Sequence, residues 1–164
     1  MNSRFALSVT AAALCLGLAA CSSVPLDGSD SGSGSSSGGS GAIMDPFNPS
    51  SPLATDRSVY FEFNSYSVGE QYRPTVENHA RYLSSNPKQN ILIEGNTDAR
   101  GGSEYNLALG HRRAEAVSRM MTLMGANGQQ IETISFGKEK PRAQGDSEQA
   151  YAENRRADIV YQRK

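Results

Sequence analysis

The stretch Ile91-Leu92-Ile93-Glu94-Gly95-Asn96-Thr97-Asp98-Ala99-Arg100-Gly101-Gly102-Ser103-Glu104-Tyr105-Asn106-Leu107-Ala108-Leu109-Gly110-His111-Arg112-Arg113 decides how the chain folds. Its apolar start reads as a strand, the Gly101-Gly102 pair marks a polar turn, and a helix carrying paired arginines follows. A carboxylate at Asp98, on the turn leaving the strand, can accept two or three hydrogen bonds from an ammonium group. Arg113, in the first turns of the helix, carries a planar fork that matches a carboxylate. Free N–H groups at the helix start favour an anion, and the two glycines leave the backbone bare there. Together these groups suit a zwitterion. Spacing alone equally allows a plainer arrangement, with Asp98 capping the turn and Arg112 and Arg113 on a solvated helix face beside Glu94, Glu104 or Glu115.

Working outward, Val59, Phe61 and Phe63 alternate with polar neighbours, the signature of a strand with one buried face. Tyr72, Val76, His79, Ala80 and Leu83 recur at helical spacing, with Pro74 acceptable in the first turn and Asn86-Pro87 as a stop. Residues 90–94 form the second predicted strand, with Ile91, Leu92 and Ile93 buried on both faces. Leu107, Ala114, Val117, Met121 and Met124 share one stripe of the long helix, which Gly125 closes. Residues 131–136 and 156–161 read as strands, with a loop at 137–146 and a short helix at 147–153 between them. The order β-α-β-α-β-(α)-β in about 105 residues predicts an α+β domain over residues 57–164, one sheet with helices packed on one face.

Composition narrows the function. The chain has 164 residues, with 16 Lys+Arg against 17 Asp+Glu. Residues 57–164 hold 15 of the basic and 13 of the acidic side chains, so the domain sits near neutrality and lacks the basic field that nucleic acid requires. Both cysteines, Cys15 and Cys21, precede the domain, which leaves it no disulfide and no thiolate metal site. His79 and His111 fall on different predicted helices with no ligand neighbours, so no metal or cofactor is expected.

Residues 1–20 have one basic side chain, Arg4, followed by an apolar, small-residue run too short to span a membrane, as in a cleaved export signal. Leu18-Ala19-Ala20-Cys21 resembles the lipobox of bacterial lipoproteins. In that family the cysteine sulfur receives a diacylglycerol and the new amino terminus is acylated, so more than one chain anchors the protein. Ser22 follows the cysteine where an aspartate would signal retention at the inner membrane, and the resemblance implies the outer membrane. Residues 21–56, rich in glycine and serine and then in proline, have too little apolar surface to order themselves. A flexible coil of that length spans about 30 to 35 Å on average and reaches about 120 Å when stretched.

Gly95-Asn96-Thr97-Asp98-Ala99-Arg100-Gly101, Tyr105-Asn106-Leu107, Leu109-Gly110 and Arg112-Arg113-Ala114 resemble the peptidoglycan-binding motif of the OmpA-like domain. Val59-Tyr60-Phe61, Ser85-Asn86-Pro87, Phe136-Gly137-Lys138-Glu139-Lys140-Pro141 and Asn154-Arg155-Arg156-Ala157 are similar to its lipid-anchored members. The resemblance covers residues 58–162 and implies an α+β sandwich with one mixed sheet. It implies non-covalent binding of peptidoglycan at the meso-diaminopimelate of the peptide stem, with Asp98 and Arg113 as charged contacts. Phe63, Asn64, Gly101 and Leu107 would supply backbone and wall contacts, and Arg155 and Arg156 would be mainly structural. It also implies TolB and the other Tol proteins as partners during envelope constriction. Two positions depart from the pattern: Asn96 stands where histidine is usual, and Asn64 where aspartate is common.

Two other classes remain open on the residues alone. A peptidoglycan-acting enzyme would need a nucleophile or an activated water, and the domain has no cysteine, no zinc triad and no serine beside a base. A lipoprotein domain serving only protein partners would keep the fold and leave Asp98 and Arg113 without a ligand.

Overall fold

The computed structural model describes residues 44–163. The expected export signal, the expected lipidation site at Cys21 and the expected tether as far as residue 43 lie outside the described residues. Four strands form one mixed sheet: β1 (Ser58–Tyr60), β2 (Ile91–Asn96), β3 (Ile131–Gly137) and β4 (Arg156–Tyr161), in the order β1-β4-β2-β3. β4 runs antiparallel to both β1 and β2, while β2 and β3 are parallel. A parallel pair needs a crossover, supplied here by the long helix α3 (Ser103–Leu123). The other helices are α1 (Pro52–Thr55), α2 (Arg73–Ser85) and α4 (Glu148–Asn154). The predicted single sheet with helices on one face is the observed architecture.

The period of two in the strands decides which face is buried. Ile91 and Ile93 of β2 stand opposite Tyr161 and Ile159 of β4, and all four are buried. Val76, Ala80 and Leu83 of α2 and Ala114, Val117 and Met121 of α3 complete this core. Leu92 and its partner Val160 point the other way and are only half-buried. The apolar run is therefore buried on one face, not on both as its composition suggests. The opposite face carries charge pairs: Lys140 to Glu94 at 2.5 Å, and Arg142 and Arg156 to Asp158, each at 2.8 Å.

α3 ends in a Schellman motif, in which Ala126 N–H donates to the Met121 carbonyl and Gly125 N–H to that of Thr122, both at 3.0 Å, with Gly125 at φ 101°. At its other end Leu107 is 53 % exposed, although it lies on the same helical stripe as the buried Ala114. Its backbone sits beside Gly137, the last residue of β3, so the sheet ends there and offers the side chain no cover.

Two further differences from the sequence reading concern depth. Residues 44–56, assigned to the tether, lie against the domain: Leu53 is 1 % exposed, and Phe47 meets Tyr161 edge-on with ring centroids 6.2 Å apart. Ser51 caps α1, and Arg57 Nε donates to the Leu53 carbonyl at 2.9 Å. Averaged composition hid these two apolar side chains among glycine, serine and proline. His79, given no role by the sequence beyond its place on the helical stripe of α2, is fully buried. Its Nε2–H donates to the Asp56 carbonyl at 2.9 Å, and its Nδ1 accepts from the Tyr161 hydroxyl at 2.7 Å, so one neutral tautomer ties α2 to β4 and to the amino-terminal segment.

Candidate functional site

At its end β2 leaves the sheet. The register with β3 shifts between Gly95 and Asn96, and Thr97 N–H then donates to the Gly137 carbonyl at 2.7 Å. This sets Asp98, 4 % exposed, just beyond the end of the interior strand β2 and facing the loop that follows β1. Asp98 Oδ1 accepts the Arg100 N–H at 3.2 Å, while Oδ2 accepts Arg100 Nη2 at 2.7 Å and Arg155 Nη1 at 3.4 Å. Burial pushes the Asp98 carboxyl up, but the bonds and charge of Arg100, with the bond from Arg155, outweigh it and hold it below the usual carboxylate range.

Arg113 projects from α3 beneath the same loop and is fully buried. Its Nε donates to the Ser65 carbonyl at 2.9 Å, Nη1 to that of Asn96 at 2.9 Å, and Nη2 to that of Glu62 at 3.2 Å. One guanidinium thus fastens the loop after β1 to the end of β2, while two of its five N–H donors stay free of these bonds. Burial lowers its pKa to about 10, with the charge of Asp98 opposing, so it remains a cation at neutral pH.

Between these groups lies a cleft of about 220 Å³, lined by Phe63, Asn64, Thr97, Asp98, Arg100, Gly101, Tyr105, Asn106, Leu109 and Arg113. Five residues singled out from the sequence, Asp98, Arg113, Phe63, Asn64 and Gly101, are brought together there. Leu107 is not in this lining; Leu109, two residues on and on the inward face of α3, takes the wall. Asn64 has φ 53° and accepts a hydrogen bond from the Tyr105 hydroxyl, which links the loop to α3. Asn106 Nδ2 donates to the Arg100 carbonyl at 2.8 Å and steadies the turn at Gly101, whose φ is 89°. Asn96 is fully buried behind the cleft: its Nδ2 donates to the Glu94 carbonyl at 3.0 Å, and its Oδ1 has no partner among the described residues.

Sequence reasoning missed Arg100. Its guanidinium is stacked between the rings of Phe63 and Tyr151, 4.3 Å from each centroid, and pairs with Glu148 at 3.2 Å as well as with Asp98. The pattern Asp-x-Arg was the available signal, but the aromatic partners come from segments far apart in sequence. Arg155 stands behind Asp98 and outside the cleft lining, bonded to Glu148 at 2.7 Å and to the Phe61 carbonyl at 3.0 Å. Two carboxylates and three guanidiniums make the site one charge positive, which favours a ligand carrying more carboxylate than ammonium. Asp98, held ionised between cations, is a poor proton acceptor. Among the described residues no cluster of three or more His, Cys, Asp or Glu side chains could hold a metal ion. A larger groove of about 610 Å³, between the end of α2 and Gln162-Arg163, has no buried charge in its walls.

This fold and site define a binding domain, and comparison with known proteins gives its family. The model of the OmpA family matches residues 60–155, and the chain belongs to that family. Within it the chain is similar to peptidoglycan-associated lipoproteins. It is 37 % identical to that of Haemophilus influenzae over 158 residues, covering 96 % of this chain and 99 % of the relative. It is 43 % identical to that of Pasteurella multocida over 104 residues, 63 % of this chain and 69 % of the relative. The crystal structure of the peptidoglycan-associated lipoprotein from Burkholderia pseudomallei superposes with a TM-score of 0.69 at 58 % identity, covering 71 % of this chain and 98 % of that one. The C-terminal domain of Helicobacter pylori MotB shares the fold at a TM-score of 0.60 and 25 % identity, over 65 % of this chain and 84 % of that one.

Proposed function

We propose that this chain is an outer-membrane lipoprotein that holds peptidoglycan non-covalently, and that its cleft grips the meso-diaminopimelate end of a stem peptide. The observation that supports it is the meeting of Asp98 and Arg113 in one cleft of about 220 Å³ in a member of the OmpA family. Asp98 Oδ1 accepts only one backbone N–H and keeps room for an ammonium, while the two unused N–H groups of Arg113 can take a carboxylate. Phe63, Asn64 and Gly101 wall the ligand. Diacylglycerol on Cys21 would fix the chain to the periplasmic face of the outer membrane, and residues 21–43 would give the domain reach. In this reading the protein works within the Tol assembly, with TolB as a partner, during envelope constriction and cell division.

The test is a calorimetric titration of the full chain with a muropeptide ending in meso-diaminopimelate and a control ending in lysine. Lysine keeps the ammonium for Asp98 but lacks the carboxylate for Arg113. Binding of the first and not the second is expected. Equal binding would remove Arg113 from the site, and no binding of either would leave a domain that serves protein partners alone.

A further inference from the structure

Beside the cleft lies a second cavity of about 330 Å³, lined by Asn64, Tyr66, Tyr105, Ala108, Leu109 and Arg112. It shares Asn64, Tyr105 and Leu109 with the cleft that holds Asp98 and Arg113, and the hydrogen bond from the Tyr105 hydroxyl to Asn64 Oδ1 belongs to both. The two are neighbouring compartments of one surface groove.

Arg112 differs from the other arginines of the region. Arg100 and Arg155 are paired with Asp98 and Glu148, and Arg113 is bonded to three carbonyls. Arg112 is exposed and, among the described residues, makes no ion pair and no side-chain hydrogen bond; its guanidinium rests 5.7 Å from the centre of the Tyr66 ring. The nearby carboxylate on the same helix, Glu115, is engaged by His111 at 3.3 Å and Arg119 at 3.4 Å. An unpaired cation on the wall of a cavity between two tyrosines can give a fork of donors to an anion, with Tyr66 holding its plane.

We infer that Arg112 marks a second carboxylate subsite, which takes the free carboxylate of the ligand residue preceding the zwitterion. This rests on the reading that the first cleft binds a diaminopimelate end, and it specifies the ligand further. The two compartments share walls, and the preceding residue is joined to the diaminopimelate at the end opposite the zwitterion, so the methylene chain between them carries it along the groove to the second compartment. The chemical class follows from the geometry. A side-chain-linked acidic residue, such as a γ-linked glutamyl, keeps its α-carboxylate free beside the peptide bond. An α-amide offers Arg112 no such charge, and an acidic residue in an ordinary main-chain linkage carries its carboxylate at the end of the side chain, away from the peptide bond.

The experiment uses the full chain and two synthetic peptides, γ-glutamyl-meso-diaminopimelate with a free α-carboxylate and its α-amide, titrated by calorimetry at low salt. Because Arg112 is exposed, wild type should prefer the acid by about threefold to fivefold. The preference should vanish in Arg112→Ala and partly return in Arg112→Lys. Binding of both peptides with equal affinity to wild type would overturn the subsite and leave the diaminopimelate reading intact. A preference that survives in Arg112→Ala would also overturn it. If neither peptide binds wild type, the diaminopimelate reading fails and this inference falls with it.

Discussion

Gly95 of β2 and Gly110 of α3 meet backbone to backbone: a Cβ placed on Gly95 would lie 1.9 Å from the Gly110 carbonyl oxygen. α3 can cross the sheet this closely only because both positions lack side chains, and the crossing brings Arg113, one turn further on, under the loop after β1. Gly95→Ala forces two main chains apart, and no flexible side chain is there to give way. We expect a loss of about 3 kcal/mol, at the upper end for overpacking, read as a lower urea midpoint. Unchanged stability would mean that the helix can slide without cost.

The buried His79 makes stability depend on pH. Burial lowers its pKa from 6.5 to about 4, against the hydrogen bond to the Asp56 carbonyl, which raises it. The unfolded chain therefore binds a proton at a higher pH than the folded one. Stability is full above pH 6.5, falls as pH drops towards 4, and changes no further below that on account of this group. The loss is about 3 kcal/mol at one unit per 1.4 kcal/mol. Urea unfolding at pH 7.5, 5.5 and 4 should trace it, and His79→Gln should flatten the curve in that window. A wild-type curve already flat there would mean that the histidine is solvated.

Local order in the chain decided what was readable beforehand. Asp98, Gly101 and Arg113 lie within one strand-turn-helix, so their spacing allows their meeting, and the resemblance to the OmpA-like domain selected that reading over a plain turn cap. Phe63 and Asn64 entered through the same resemblance, since the strand pattern placed Phe63 on a buried face whereas β1 ends at Tyr60 and Phe63 is exposed. Arg155 supports Asp98 across 57 positions, and Arg100 is stacked by rings from two distant segments. Only the sheet order, with β4 between β1 and β2, brings those together, and no periodicity encodes it. Gly95 and Gly110 escaped for a related reason, since a missing side chain leaves no mark on a hydrophobic pattern. Leu107 was misplaced because a stripe gives the direction of a residue and not the extent of the surface beneath it.

Charge alone does not explain Arg113. Lysine keeps the cation but cannot donate in three fixed directions to the carbonyls of Ser65, Asn96 and Glu62. Arg113→Lys should cost about 3 kcal/mol, since two of these buried acceptors would lose a charged donor. Chemical denaturation measures the loss, and faster amide exchange across residues 61–66 would locate it. A midpoint equal to that of wild type would show that the loop after β1 stands without this side chain.

Asp98 joins stability to binding in one carboxylate. Its folded pKa is depressed, so it contributes stability that is present above the ordinary carboxylate value of 3.8 and lost as pH falls through the lower folded value. That window lies below the one for His79, so acid unfolding should show two separate slopes. Asp98→Asn removes the lower slope and keeps the shape of the cleft. It also leaves Arg155, as buried as Asp98 itself, with the exposed Glu148 as its one remaining carboxylate partner among the described residues. We expect a stability loss of about 2 to 4 kcal/mol and a fall in muropeptide affinity of about thirtyfold or more. Phe63→Ala separates the two effects. Phe63 is 60 % exposed and touches Arg100 only through its ring face. Its loss should weaken ligand binding by about fivefold while moving stability by less than about 1 kcal/mol. If Phe63→Ala left affinity unchanged while Asp98→Asn abolished it, the ligand would sit deeper than the aromatic rim, against Asp98 and Arg113 alone.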